Sequence, residues 1–306
     1  MKSMLLTMLL FTFSTSSFSA IDPTITVEFN IIKEKRADIL FVIDNSASME
    51  KHQEILSKFS KAFMSELKNI NFKITAISTD KDDSLKNLVI DNRAANPTLQ
   101  LEELISDFGN IGSADEVPFF NIKRFITQSE GIDFLRAHAN LEIIMLTDET
   151  DQSDETANDI LTALNLRKTT VSAIVPLDRD NRSCGYYDSQ TNTKIEDFVA
   201  LTNGDLIELC QNSKTFEKDY SRLAKAIVSR ANISDINALP IRKYELPKNV
   251  DIDSIKVFYG TQIFRRGFLQ TGWVYDETSN TILLNDNVVI SAQSAGTKFT
   301  IQFDIN

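Results

Sequence analysis

Ile39, Leu40, Phe41, Val42 and Ile43 form an unbroken apolar run that stops abruptly at Asp44. A run with no alternating polar partner does not suit a sheet with one wet face; it suits a parallel strand covered by helices on both sides. Two other segments share this character: residues 72–78, followed by Thr79-Asp80, and residues 141–146, followed by Thr147-Asp148-Glu149. Helical periods lie between them. Ile55, Phe59, Phe63 and Leu67 recur every fourth residue and predict an amphipathic helix ending near residue 69. Further helices are expected over 97–108, broken by Gly109 and Gly112, then over about 117–127, 154–166, 194–201 and 214–230. With strands at 88–90, 170–175 and 206–209, the alternation defines an α/β fold, a doubly wound, mostly parallel sheet. Its ligand site is expected beyond the carboxyl ends of the strands, where the strand order reverses. There Asp44 and Asp148 would meet.

The two ends of the chain read differently. Residues 24–31 alternate with period two, as a half-buried strand does, and therefore should pair outside the parallel sheet. After residue 232 the helical period disappears, and short strands are expected at 257–259, 273–275, 281–284 and 298–303 with turn residues between them. The expected division is an α/β domain over 37–232 and a smaller antiparallel, β-sandwich-like domain made of 20–36 and 233–306.

Residues 1–19 fit a secretory signal: Lys2, a short apolar core, and small residues Ser17 and Ser19 before the expected cut. The core is too short to span a bilayer, and no later stretch is apolar enough to do so. The expectation is an exported protein, periplasmic, cell-surface or secreted. A net charge of -11 with no basic run excludes nucleic acid as a partner. In such a chain the pair Cys184 and Cys210 reads as a disulfide, contributing about 3–4 kcal/mol on the chain-entropy model.

Asp44, Ser46 and Ser48 stand at alternate positions on the turn that ends the first apolar run. One carboxylate and two hydroxyls offer a hard divalent ion several oxygens and little charge, leaving it able to take an outside ligand. The competing reading is that Asp44 or Ser46 only caps the next helix. The Asp-x-Ser-x-Ser turn, Thr79-Asp80, residues 134–139 leading into Leu141, Thr147 to Asp151, and the strands near Val257 and Trp273 together resemble bacterial secreted von Willebrand factor A (vWA) proteins with a metal-ion-dependent adhesion site.

That resemblance implies a site for Mg2+, or Mn2+ or Ca2+, held by Asp44, Ser46, Ser48 and Asp148. The family's usual loop threonine is replaced by the stretch from Asn110 to Glu116, where Ser113 is the expected hydroxyl ligand and Asp115 its rival. Asp80, Asp115, Glu116, Glu149 and Asp151 are expected around the rim or behind the ligands; the acidic run after Asp148 also suits a helix start. The implied function is metal-dependent adhesion, the ion coordinating an acidic group of a protein or other partner. The alternative is an envelope scaffold whose metal site is structural or empty and which binds through its β domain. A metal-assisted hydrolase is the least favoured reading. Ser48-Met49-Glu50-Lys51 and Ser65-Glu66-Leu67-Lys68 match Ser-x-x-Lys by spacing only, without the companion motifs of penicillin-binding enzymes, so no enzyme is expected.

Overall fold

The computed structural model describes residues 24–81, 88–109, 111–112, 115–136, 139–165, 167–177, 193–232, 236–238, 243–267, 272–284, 288 and 290–306. The chain begins with strands β1 (Thr24–Asn30) and β2 (Ile32–Glu34). It then alternates through β3 (Arg36–Ile43), α1 (Glu50–Lys58), α2 (Ser60–Leu67), β4 (Asn71–Ser78), β5 (Ile90–Asp91), α3 (Pro97–Ser106), α4 (Pro118–Thr127) and α5 (Ser129–Phe134). There follow β6 (Asn140–Leu146), α6 (Ala157–Ala163), β7 (Thr169–Val175), α7 (Lys194–Thr202), β8 (Leu206–Glu208) and α8 (Ser213–Asn232). Short strands complete it: β9 (Ile236–Ala238), β10 (Lys243–Glu245), β11 (Lys256–Tyr259), β12 (Gln262–Phe264), β13 (Trp273–Asp276), β14 (Thr281–Leu284) and β15 (Lys298–Asp304).

The main sheet has the order β5-β4-β3-β6-β7-β8, parallel throughout except for the antiparallel edge strand β5. From β3 the chain steps outward to β4, then returns to place β6 on the other flank of β3. The strand order therefore reverses between β3 and β6, and a cleft opens beyond their carboxyl ends. The apolar run of β3 supplies both layers. Ile39, Phe41 and Ile43 pack with Phe63 of α2, Leu104 of α3 and Tyr220 of α8, while Leu40 and Val42 pack with Phe125 of α4, Ile160 of α6 and Phe198 of α7. Both faces are covered, and both sets of alternate residues from Ile39 to Ile43 are apolar.

A third core contains Val257, Trp273, Ile282, Phe299 and Ile301. It belongs to two antiparallel sheets, β1-β15-β11-β12 and β10-β14-β13. Strand β1 pairs along its whole length with β15, Thr24 opposite Asp304 and Asn30 opposite Lys298, and so lies outside the parallel sheet as its period-two pattern predicts. β2 pairs with β9.

Two helices differ from expectation. The helix expected to run unbroken to residue 69 is interrupted at Phe59 (φ -94, ψ 6), which separates α1 from α2. The helix expected from residue 154 starts at Ala157, because Thr156 and Asp159 form a reciprocal capping box there. The acids from Asp148 to Glu155 thus lie on a loop. Among the described residues no helix is long and apolar enough to cross a membrane. The expected signal segment and Cys184 lie outside the described residues. Cys210 follows β8, its amide donating to the Glu208 carboxylate at 2.8 Å.

Candidate metal centre

The turn after β3 is organised by its own carboxylate. Asp44 Oδ1 accepts the Ser46 amide at 2.8 Å, and Oδ2 accepts the Thr147 hydroxyl at 2.7 Å. The Asp44 amide donates to the Leu146 carbonyl at 2.9 Å, so one residue joins the carboxyl ends of β3 and β6. The Ser46 and Ser48 hydroxyls are 3.0 Å apart, and the Ser48 hydroxyl donates to Asp148 Oδ1 at 3.2 Å. Asp44, Ser46, Ser48 and Asp148 therefore form one connected cluster at the reversal point. Ser113, the fifth expected ligand, lies outside the described residues. Ser46 makes no side-chain capping bond, and α1 has none either.

Several residues that sequence reasoning passed over hold this turn in place. Gln53 of α1 donates to the carbonyls of Asp44 at 2.7 Å and Gly109 at 3.0 Å. The Gly112 amide donates to the Asn45 carbonyl at 2.9 Å, and a Cβ at this position would collide with the Asn45 side chain, so the loop can approach only as glycine. Asn121 of α4 donates to the Ser78 and Asp80 carbonyls at 2.9 and 2.8 Å, fixing the end of β4. The available signal was an amide side chain on a buried helix face, which must find partners there.

The electrostatics are one-sided. Among the described residues no ion pair reaches Asp44, Glu116, Asp148 or Glu149. Asp148 is pushed up to about 6, first by burial and then by the Asp44 charge, with the Ser48 hydrogen bond opposing. Glu149 is also raised, by burial and Asp44. Glu116 goes furthest, to about 8, for the same two leading reasons. It is completely buried, and neither of its carboxylate oxygens has a hydrogen-bond partner. The Thr79 hydroxyl moderates the shift from close by, yet stands outside hydrogen-bonding geometry. A buried carboxylate without a donor stays protonated or needs a cation beside it.

The remaining expected residues divide. Asp80 sits at the end of β4, bridged through its backbone to Glu116, and Asp115 is exposed beside it. Asp151 is buried: it accepts the Phe119 amide at 3.1 Å and the Ser153 hydroxyl at 2.6 Å, and pairs with Lys194. It ties the loop after β6 to the starts of α4 and α7. Among the described residues no three His, Cys, Asp or Glu side chains form a ready-made metal cage. What is present is hard oxygen donors, uncompensated negative charge and an orphaned buried carboxylate, and this set fits a hard divalent cation.

The described fold is thus a doubly wound α/β sheet joined to antiparallel sheets. It is similar to the open conformation of the pilus adhesin SpaC from Lactobacillus rhamnosus GG, at 13% identity and TM-score 0.41, over 92% of this chain and 40% of that one. It is also similar to proximal thread matrix protein 1 from the mussel byssus, at 15% identity and TM-score 0.42, over 65% of this chain and 49% of that one. The PilB minor pilin from Streptococcus sanguinis is matched at 13% identity and TM-score 0.42, over 65% and 62%. This chain spans less than two thirds of the length of each. No protein-family model and no curated protein matches the sequence. Similarity this low leaves function to be argued from the site.

Proposed function

We propose that this chain is an exported binding module of the von Willebrand factor A type, in which a divalent cation at the β3–β6 reversal coordinates an acidic group of a partner. The observation that carries the reading is the convergence of Asp44, Ser46, Ser48 and Asp148, with no ion-paired lysine or arginine on Asp44 or Asp148 among the described residues. Mg2+, Mn2+ or Ca2+ would be held by these residues, with Ser113 proposed as the further hydroxyl. The ion makes contact with a carboxylate favourable where the acidic rim alone would repel it. The division into residues 37–232 and a β domain of 20–36 with 233–306 belongs to the same proposal, as do the signal segment and the Cys184–Cys210 disulfide.

Calorimetric titration of the ion-stripped protein with MgCl2 or MnCl2 tests the reading. Saturable heat is expected for the native chain and none for Asp148→Asn or Asp44→Ala, with the far-UV circular dichroism retained. A native chain that gives no heat with any of the three ions would exclude the metal-dependent mechanism. A scaffold that binds through its antiparallel sheets would instead hold its partner equally well with and without a chelator.

A further inference from the structure

Strand β4 carries a lysine in a sheet whose two faces are both covered by helices. Phe72, Ile74 and Ala76 pack into the layer of α2, α3 and α8, and Ile77 packs into the opposite layer. By the alternation of a strand, Lys73 and Thr75 share the face of Ile77. On that face the helical layer leaves a cleft of about 530 Å3, within the about 300–1,000 Å3 of ligand pockets. Lys73 stands opposite Asp38 at the start of β3, so the cleft lies at the other end of the strands from Asp44. It is independent of the cation turn.

We propose that this cleft binds a free amino acid with an apolar side chain: its carboxylate on the Lys73 ammonium, its side chain against Phe125, Phe134 and Val89, and its ammonium toward Glu130 and Asp133 of α5. Lys73 is half-buried, and no carboxylate pairs with it among the described residues. The two acids beside it on neighbouring strands are engaged elsewhere. Asp38 accepts the Arg136 amide at 2.7 Å and its Nε at 2.8 Å. Asp91, its partner on β5, accepts the Arg93 amide at 2.8 Å and its Nε at 3.0 Å. The Thr75 hydroxyl is used as well, donating to the Leu88 carbonyl at 2.8 Å. Burial holds Lys73 below its usual range and Arg136 adds to this, with Asp38 and Asp91 opposing. A half-buried ammonium of this kind gains from an anion brought in from outside.

The rest of the lining sets the character of the ligand. The Phe125 and Phe134 rings lie 5.8 Å apart and both line the cleft, giving it an apolar wall. Glu130 and Asp133 line it on the α5 side, and neither pairs with a lysine or arginine among the described residues; Glu130 accepts the Ser129 hydroxyl at 3.0 Å. One cation on the strand and two anions on the helix favour a dipolar ligand over a simple acid.

Calorimetric titration of the full chain with L-phenylalanine and L-leucine tests this. Saturable binding of at least one is expected. The analogues without the amine, hydrocinnamate and isocaproate, and those without the carboxylate, phenethylamine and isoamylamine, should each bind more weakly. Lys73→Met, with its far-UV circular dichroism retained, should weaken binding by roughly ten- to a hundredfold, as loss of a charge-assisted hydrogen bond does. Asp133→Asn, at an exposed position, should weaken it by a smaller factor. Native protein silent toward both amino acids would overturn the proposal, as would unchanged affinity in Lys73→Met, which would mean that the ammonium reaches past the ligand to solvent. Should Lys73→Met fail to fold, the analogues decide on the native chain: an acid without its amine binding as tightly as the amino acid would overturn the dipolar assignment.

Discussion

Strands β3 and β6 carry buried carboxylates at both ends, and the two ends treat them in opposite ways. At the amino end, Asp38 accepts the Arg136 amide at 2.7 Å and its guanidinium at 2.8 Å, and both side chains are almost wholly buried. The same guanidinium donates to the Ala37 carbonyl, and Glu142 of β6 is matched by Arg230 at 2.7 Å. At the carboxyl end Asp44 and Asp148 are as deeply buried, yet no arginine or lysine pairs with either among the described residues. The fold thus neutralises a buried carboxylate with arginine where the charge is architectural. Where the strand order reverses, Asp44 and Asp148 are held by hydroxyl and amide donors, with no arginine or lysine paired to them among the described residues.

Breaking the amino end should have the largest effect. Arg136→Met would leave Asp38 buried and unpaired, and a loss of about 3–5 kcal/mol in urea unfolding is expected. Loss of less than about 1 kcal/mol would mean that the Asp38 pair is not what closes this end.

The carboxyl end should respond to pH instead. Glu116 and Asp148, held at about 8 and about 6 in the fold, would titrate near the ordinary carboxylate range once unfolded. The folded state then binds more protons than the unfolded state between about pH 4 and pH 8, so the stability of ion-free protein should fall as pH rises through that window. Saturating Mg2+ should flatten or reverse the slope, because the ion binds the deprotonated carboxylates. Chemical denaturation at successive pH values measures both; a flat ion-free profile would show that the charges are compensated.

Smaller effects sharpen the boundary of the site. Lys194→Met removes the cation from Asp151, which keeps its bonds to Phe119 and Ser153, and should cost about 1–2 kcal/mol while leaving Mn2+ affinity unchanged. An equal loss of ion affinity would place Asp151 in the cation site. Arg222→Ala breaks exposed pairs with Asp205 and Asp219 and should change stability by about 0.5 kcal/mol or less.

Much of this was legible in the chain. The unbroken apolar run of β3 encodes a strand covered on both faces, and the parallel topology it implies brings Asp44 and Asp148 together. Ser46 and Ser48 follow from the turn itself. Glu116 was expected at the rim or behind the ligands, but its complete burial was not legible, because nothing in the stretch from Asn110 to Glu116 marks which acid faces inward. Its burial depends on a backbone bridge to Asp80 and a bond from Gln152, which only the assembled fold supplies. The pairing of Asp151 was hidden for a similar reason: it sits in the acidic run, but its partner Lys194 comes from α7. The start of α6 was hidden likewise, since the Thr156–Asp159 capping box is embedded among acids that favour a helix start anywhere along the run.

The most direct test is thermal unfolding of the ion-stripped protein near neutral pH, before and after adding Mg2+ or Mn2+. A cation site at the β3–β6 reversal predicts saturable stabilisation, about 2.7 kcal/mol at a hundredfold excess over Kd, that is absent in Asp148→Asn. An unchanged unfolding transition at millimolar Mg2+, Mn2+ and Ca2+ would contradict it.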